Sequence, residues 1–115
     1  MIKKVSDMRC EVRENVRGGN GALAMQHLLE AEEFQGFGKM IAKFTIEKGQ
    51  SIGRHPHDED GELYIILSGR GLVDDNGQMH EVSAGDAVWT AHGEFHSITN
   101  EYDEPLCLYA IVINQ

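Results

Sequence analysis

Short segments rich in strand-forming residues follow one another from residue 22 to residue 113, and turn-forming residues separate them. The strongest of these separators is Asn76-Gly77, because Asn-Gly favours the two-residue turn of a β-hairpin. Many short strands at such close spacing are typical of a sandwich or a barrel. The predicted strands are 22–30, 38–47, 51–57, 62–68, 71–74, 78–82, 87–90, 95–100 and 106–113.

Three histidines and one glutamate lie in these segments at positions that suit the binding of one metal ion. His55 and His57 are separated by one residue, so in a strand both side chains point to the same face. Pro56 between them cannot donate a ladder hydrogen bond, which suits the end or edge of a strand beside a cavity. Glu62 opens the next segment, and His96 belongs to a distant one. Imidazole and carboxylate donors suit Fe, Mn, Ni, Zn or Cu, so we expect one divalent transition metal.

Glycines stand at fixed distances from these four residues. In sequence order the pattern is Gly49-x5-His55-Pro56-His57-x4-Glu62-x6-Gly69, followed by Gly85-x5-Ala91-x-Gly93-x2-His96-x3-Asn100. This pattern resembles the two signature motifs of the cupin superfamily. The first motif is matched at every fixed position, and the second departs from the usual pattern at Ala91, where proline is more common. Since proline would pre-set the backbone of a turn, this change affects turn rigidity and not the metal-binding positions.

The resemblance to cupins implies both a set of metal ligands and a fold. In cupins, the two histidines and the glutamate of the first motif and the histidine of the second bind the metal. Carried over to this sequence, the ligands are His55, His57, Glu62 and His96. The implied fold is all-β, a double-stranded β-helix or jelly-roll barrel. Residues 22–33, ALAMQHLLEAEE, have a helix-favouring composition, but cupin topology implies a strand at this point.

The chain divides into a short amino-terminal part and one barrel. Residues 1–21 are interpreted as an arm, with a possible short strand or turn in IKKVSDM, that ends in the flexible bend Gly18-Gly19-Asn20-Gly21. Residues 22–115 are interpreted as a single cupin barrel domain. Both faces of residues 63–67 and 106–113 are apolar, whereas a strand wet on one side would alternate with polar residues. One barrel face is therefore expected to pack on the amino-terminal strands or on a second subunit. Small cupins commonly dimerise in this way, and a homodimer is predicted.

Further residues are candidates for the cavity beside the metal, and Tyr64 and His27 are the candidate catalytic residues. Tyr64 shares the face of Glu62, so its hydroxyl could donate to a bound oxygen or be satisfied within the core. His27 could point into the barrel mouth as a proton donor, or lie exposed or at an interface. The acidic run 58–60 could hydrogen bond to a ligand imidazole or be a solvated loop. The predicted cavity-lining residues are Met40, Phe44 and Ile98.

The charge balance argues against two classes of partner. The chain carries 10 Lys and Arg residues against 19 Asp and Glu residues, a net charge of −9 that repels phosphate backbones and anionic membranes. The sequence shows neither an apolar run typical of a signal peptide nor one long enough to span a membrane. Neither nucleic acid nor membrane is therefore expected as a partner, and a cytoplasmic location is predicted.

The expected function is metal-dependent chemistry on a small oxygenated molecule. Three neutral imidazoles and one carboxylate leave a divalent ion with net positive charge, which can act as a Lewis acid. The cupins of this size that the chain resembles include dioxygenases, decarboxylases, isomerases and lyases, so an enzyme of one of these types is predicted. The alternative is a module that binds a small sugar or metabolite through the metal without turnover. The sequence signals no dedicated general base or lid that would separate the two.

Overall fold

The computed structural model describes residues 1–114, in which ten β-strands form two antiparallel sheets. The predicted barrel domain ends one residue later, at Gln115, which lies outside the described residues. Three 3-10 turns accompany the strands, at Val5–Asp7, Val16–Gly18 and Ala31–Phe34. None of the described helical turns is long and apolar enough to cross a membrane. The strands are β1 (Arg9–Glu14), β2 (Ala22–Leu29), β3 (Gly38–Ile46), β4 (Ser51–Pro56), β5 (Asp60–Ser68), β6 (Arg70–Asp75), β7 (Gln78–Ser83), β8 (Ala87–Thr90), β9 (Phe95–Thr99) and β10 (Leu106–Asn114).

The strand order is that of a jelly roll. The larger sheet has the order β1-β2-β3-β10-β5-β8, and the smaller one has the order β4-β9-β6-β7. From β3 onward the chain passes repeatedly from one sheet to the other, which wraps the two sheets around a common interior. The hairpin between β6 and β7 turns at Asn76 and Gly77, both at positive φ (52° and 94°), as its sequence predicted. The predicted all-β jelly-roll fold is confirmed.

Alternating side chains along the strands produce one hydrophobic core between the sheets. On β10, Leu106, Leu108 and Ala110 are buried, while the residues between them are half-buried. On β5, Tyr64 and Ile66 are buried in the same way. Because Glu62 belongs to this inward-facing series, strand alternation alone directs its carboxylate into the interior.

Each of the nine predicted strands is present, with ends that differ by one or two residues at most. These strands include β2, whose composition favours a helix. Leu23, Met25 and His27 of β2 alternate inward and are buried, so burial against the sheet overrides the intrinsic preference of the segment. The acidic turn before Glu62 is shorter than expected, since β5 already begins at Asp60.

The predicted amino-terminal arm contains a strand, β1, that the sequence did not indicate. This strand pairs antiparallel with β2, with Glu11 opposite Met25. Arg9 and Arg13 lie on either side of Glu11 and form ion pairs with it, at 2.6 and 3.0 Å. Hydrogen bonds to β2 and ion pairs hold this edge strand in place, and its charged residues alternate with apolar residues at positions 10 and 12.

Candidate metal centre

Four buried side chains with metal-binding chemistry converge between the two sheets. His55 lies on β4, His57 directly follows that strand, Glu62 lies on β5 and His96 lies on β9. The larger sheet supplies the carboxylate, and the smaller sheet and its connection supply the imidazoles. One donor atom of each residue lies within 4.8 Å of all the others, so the four could hold a metal ion.

Strand register and one turn bring these residues together. In the β4–β9 pair, His55 lies directly opposite His96. The chain that leaves β4 is fastened to the turn between β8 and β9. There the His57 amide donates to Glu94 O at 2.9 Å, and the Gly93 amide donates to His57 O at 2.7 Å. The second glycine-containing motif therefore positions His57 as well as its own histidine.

The spacing of the donor atoms fits ligands around a single ion. His96 Nε2 lies 3.0 Å from His55 Nε2 and 3.2 Å from His57 Nε2. Glu62 Oε1 lies 3.0 Å from His96 Nε2 and 3.1 Å from His57 Nε2. Two ligands about 2.1 Å from an ion and at right angles to each other are roughly 3.0 Å apart. These four distances therefore match adjacent corners of an octahedron, although Glu62 Oε1 is 3.5 Å from His55 Nε2.

Hydrogen bonds on the outer ring nitrogens turn the imidazoles toward this point. His55 Nδ1 lies 2.8 Å from Gly53 O, and because a carbonyl oxygen can only accept, Nδ1 is the donor. His57 Nδ1 likewise donates to the Asp60 carboxylate at 2.6 Å. When these rings are neutral, each Nε2 presents a lone pair to the centre. Converging lone pairs and a carboxylate repel one another, and a bound cation removes that repulsion.

Glu62 is the fixed negative charge of the cluster. Burial raises the pKa of this carboxyl, but hydrogen bonds with His55, His57 and His96 outweigh burial and hold its pKa well below the ordinary value. The hydrogen bond to Glu62 raises the pKa of His57, whereas burial lowers the pKa of His96. The cluster thus attracts one cation, either a proton or a metal ion. Because a metal must displace protons from imidazole, its affinity falls as the pH is lowered.

Tyr64 lies directly against the cluster. Its ring stacks on the ring of His96, with centroids 4.8 Å apart and an angle of 10° between the planes. The hydroxyl oxygen is 3.4 Å from His96 Nε2. Burial raises the pKa of Tyr64 well above its ordinary value, and the charge of Glu62 and a hydrogen bond with it act in the same direction, so the hydroxyl keeps its proton. The catalytic role of Tyr64 stays a prediction.

A cavity of about 320 Å³ opens onto His55, His57 and Glu62. Apolar side chains, among them the predicted residues Met40 and Phe44, form part of its wall. Basic side chains from β1, from the loop after it and from β3 form another part. These basic residues are Arg13, Arg17 and Lys39.

Two predicted site residues lie away from this cavity. Ile98 follows His96 by two positions on the same face and is completely buried in the core. His27 is buried as well, and its Nε2 lies 2.6 Å from Glu11 Oε2 of β1. The interpretations of Ile98 as a cavity residue and of His27 as a proton donor stay predictions, and neither residue is among those that line this cavity. The contact of His27 with Glu11 was not visible in the sequence, since the sequence did not indicate β1.

Several residues contact the cluster or line its cavity although the sequence did not predict this. The Thr90 hydroxyl lies 2.6 Å from His96 Nδ1 and fixes that ring. Asp60 was weighed only as part of an acidic run, yet it accepts from His57 and, at 3.0 Å, from Lys39 Nζ. Its position three residues after His57 was an available signal. No comparable signal linked Arg17 to the cavity, because its segment carries no motif.

The sequence matches a family model described as Cupin domain over residues 42–112, which is more than half of the chain. Together with the jelly-roll fold and the paired motifs, this match shows that the chain belongs to the cupin family. The resemblance inferred from the spacing of histidines, glutamate and glycines is confirmed.

Similar proteins are known from Thermotoga maritima. One is named oxalate-binding protein and is 36% identical over 113 residues, which cover 98% of this chain and 93% of that protein. A crystal structure from the same organism, described as a predicted oxalate decarboxylase, has a TM-score of 0.94 at 36% identity and covers 100% of both chains. An uncharacterised conserved protein with a double-stranded β-helix domain, from Klebsiella pneumoniae subsp. pneumoniae, has a TM-score of 0.73 at 23% identity. That match covers 98% of this chain and 89% of the other, and at this identity it shows the fold alone.

Proposed function

We propose that this cupin binds one divalent transition-metal ion at His55, His57, Glu62 and His96 and uses it to hold a small carboxylate such as oxalate. The observation behind the proposal is the convergence of three imidazole nitrogens and one carboxylate oxygen beside a cavity. A divalent ion supplies Lewis-acid attraction for a carboxylate oxygen. The names of the Thermotoga maritima proteins, oxalate-binding protein and predicted oxalate decarboxylase, support oxalate as the first ligand to test.

The residues around the cavity suit a small anion. A volume of about 320 Å³ lies at the lower end of the range for small-molecule sites. Arg13, Arg17 and Lys39 place basic side chains in its lining, although the chain as a whole has a net charge of −9. Met40 and Phe44 limit the space and exclude water from one side. A compact anion with oxygen donors fits this combination better than a sugar, which would need many neutral hydrogen-bonding partners.

Turnover of the bound carboxylate is the second candidate function, and the Tyr64 hydroxyl is the observation that favours it. This protonated donor lies beside the cluster. A matching general base is not evident in the described lining of the cavity, where the carboxylates are Glu62 and Asp60, both already engaged. Binding without turnover therefore requires no residue beyond those described, whereas catalysis also requires a general base. Release of formate or carbon dioxide from oxalate, measured under air and under nitrogen, would establish turnover and its dependence on dioxygen.

Elemental analysis and calorimetry test the proposal. Protein purified without added metal is expected to contain a transition metal, and after loading to contain one ion per chain. Oxalate should give a binding heat with the loaded protein and none after chelation and dialysis. Loading should also raise the melting temperature, because an ion that binds the folded state stabilises it.

A ligand variant and a matched histidine variant complete the experiment. His57→Ala is expected to lose most of the bound metal while circular dichroism still reports a folded β-protein. His80→Ala removes an exposed histidine of β7, outside the cluster, and should keep full occupancy. Full metal occupancy in His57→Ala, or oxalate binding that survives chelation, would contradict the proposal.

A further inference from the structure

The loop between β1 and β2 carries an arginine to the mouth of the cavity. Arg17 lines the cavity together with His55 and Glu62. Among residues 1–114, no carboxylate lies within ion-pairing distance of the Arg17 guanidinium, and no side-chain hydrogen bond to a described residue engages it. A guanidinium that faces a cavity without a protein anion is available for a ligand anion.

The other basic residues of the cavity are compensated within the protein. Arg13 forms an ion pair with Glu11 at 3.0 Å. Lys39 forms one with Asp60, also at 3.0 Å. Arg17 is therefore the basic residue of the described cavity lining whose charge has no carboxylate partner among residues 1–114.

The backbone at Arg17 is held in an uncommon conformation. Its φ and ψ are 53° and 33°, in the left-handed region that costs an ordinary residue about 1 kcal/mol. The loop also lies close to β4 at this point, since a Cβ atom on Gly53 would lie only 2.2 Å from Arg17 O. Gly53 also accepts the hydrogen bond that orients His55. One short stretch of β4 thus fixes both a predicted metal ligand and the arginine loop.

The bend that follows Arg17 is fastened to the same strand. The Ser51 amide donates to Asn20 O at 3.0 Å, and the Asn20 amide donates to Ser51 Oγ at 2.9 Å. Gly19 comes so close to β4 that a Cβ atom would lie 2.3 Å from Ser51 O. The segment Gly18-Gly19-Asn20-Gly21, interpreted from composition as a flexible bend, is therefore held against β4 by hydrogen bonds and close backbone contact. It holds the arginine at a fixed place relative to the metal centre.

We propose that Arg17 is a specificity-determining residue that binds the second carboxylate of a small dicarboxylate whose first carboxylate is held at the metal. A guanidinium presents two parallel N–H donors that match the two oxygens of a carboxylate. A divalent ion and the Glu62 carboxylate leave one positive charge, and Arg17 adds a second, so a dianion neutralises the site. A monocarboxylate would leave Arg17 without a partner. The inference rests on the proposed function and adds the residue that separates dianions from monoanions.

Calorimetric titrations of the protein loaded with Mn²⁺ test this role, with acetate as the monoanion and with oxalate, malonate and succinate as dianions of increasing length. The wild-type protein is expected to bind at least one dianion more tightly than acetate. Arg17→Gln should weaken binding of that dianion by ~10–100-fold, as for loss of a charged hydrogen-bonded partner, and change acetate binding by less than about threefold. Arg17→Lys should fall between the two, because lysine keeps the charge but not the paired donors.

Two further variants keep the test decisive. Arg17→Asn removes the charge with a residue that tolerates the left-handed region, so the loop conformation is preserved if glutamine disturbs it. Arg70→Gln removes the same charge from the surface, where the guanidinium stacks 4.1 Å from the Tyr102 ring centroid, and should leave all affinities unchanged. Metal content and melting temperature are measured for every variant. Equal losses for acetate and the dianion, or no loss, in fully loaded and folded Arg17 variants would overturn the role of Arg17. A loaded wild-type protein that binds none of the four anions would instead refute the proposed function itself, and the inference with it.

Discussion

Each imidazole of the cluster has a hydrogen-bond partner at its Nδ1 atom. The spacing of the motif residues predicted which histidines and which glutamate converge, because each occupies a fixed position relative to a turn. The partner of His57 could not be chosen in the same way. Three acids, Asp58, Glu59 and Asp60, follow it, and the geometry of the turn decides which one reaches Nδ1. Only the folded backbone shows that this acid is Asp60.

Removal of the Asp60 carboxylate should weaken metal binding while the four ligands stay in place. Burial raises the pKa of Asp60, but hydrogen bonds with His57 and Lys39 outweigh it, so the group is an anion that orients the His57 ring and increases its basicity. We expect Asp60→Ala to lower metal affinity by about 10–100-fold, as for other outer-shell partners of histidine ligands. Competition with a chromophoric chelator measures the change. Asp58→Ala, an exposed acid of the same run, is the control, and equal affinities in the two variants would refute the orienting role.

At the scale of strands, the sequence predicted what hydrophobic alternation and turn chemistry encode. The nine strands from β2 to β10 carry apolar residues on their inward faces and end at turn-forming residues, and their positions could be read directly. The edge strand β1 is held by ion pairs among Arg9, Glu11 and Arg13, which alternate with the apolar residues at positions 10 and 12. This alternation is short and lies in a charged segment, so the strand was not predicted, and the cavity residues Arg13 and Arg17 were not identified.

Glu11→Gln should destabilise the protein at neutral pH and lose that effect in acid. Burial raises the pKa of Glu11, but hydrogen bonds with Arg9, His27 and Arg13 outweigh it and lower the pKa from 4.5 to about 2. Since the folded state has the lower pKa, the carboxylate stabilises the fold fully above the unfolded value, and this contribution disappears as the pH falls through about 2. The difference in free energy of unfolding between wild type and variant should therefore shrink between pH 4.5 and pH 2.

Urea unfolding at several pH values measures this difference. Glu14→Gln is the matched control, because Glu14 is an exposed carboxylate of the same strand that forms no ion pair with the described residues. Its free energy of unfolding should follow the wild-type curve throughout. If Glu11→Gln also follows that curve from neutral to acid, the ion pairs do not hold β1 on the sheet.

On the scale of the whole molecule, the outer face of the larger sheet carries a row of apolar side chains. Strand register aligns Ile41, Ile111, Leu63 and Trp89 in one row across β3, β10, β5 and β8. The first three side chains are half-buried and Trp89 is half-exposed. A groove of about 460 Å³ lies farther along the same face, beside β1 and β2. The apolar character of both faces of residues 63–67 was visible in the sequence, whereas the alignment of these strands into one surface required the fold.

We expect this row to pack against the same row of a second copy, which would make the protein the predicted homodimer. A twofold axis through the row brings the row against its own copy in reverse order, so that apolar side chains meet apolar side chains. A stable interface needs about 800 Å² from each partner. Ile111→Glu should yield monomers, because a carboxylate without a partner is costly to bury at the centre of such an interface. Sedimentation velocity measures the mass, and Met79→Glu, which adds the same charge to the other sheet, should leave the dimer intact. A wild-type protein that sediments as a monomer at micromolar concentration, or a folded Ile111→Glu variant that remains dimeric, would exclude this face as the interface.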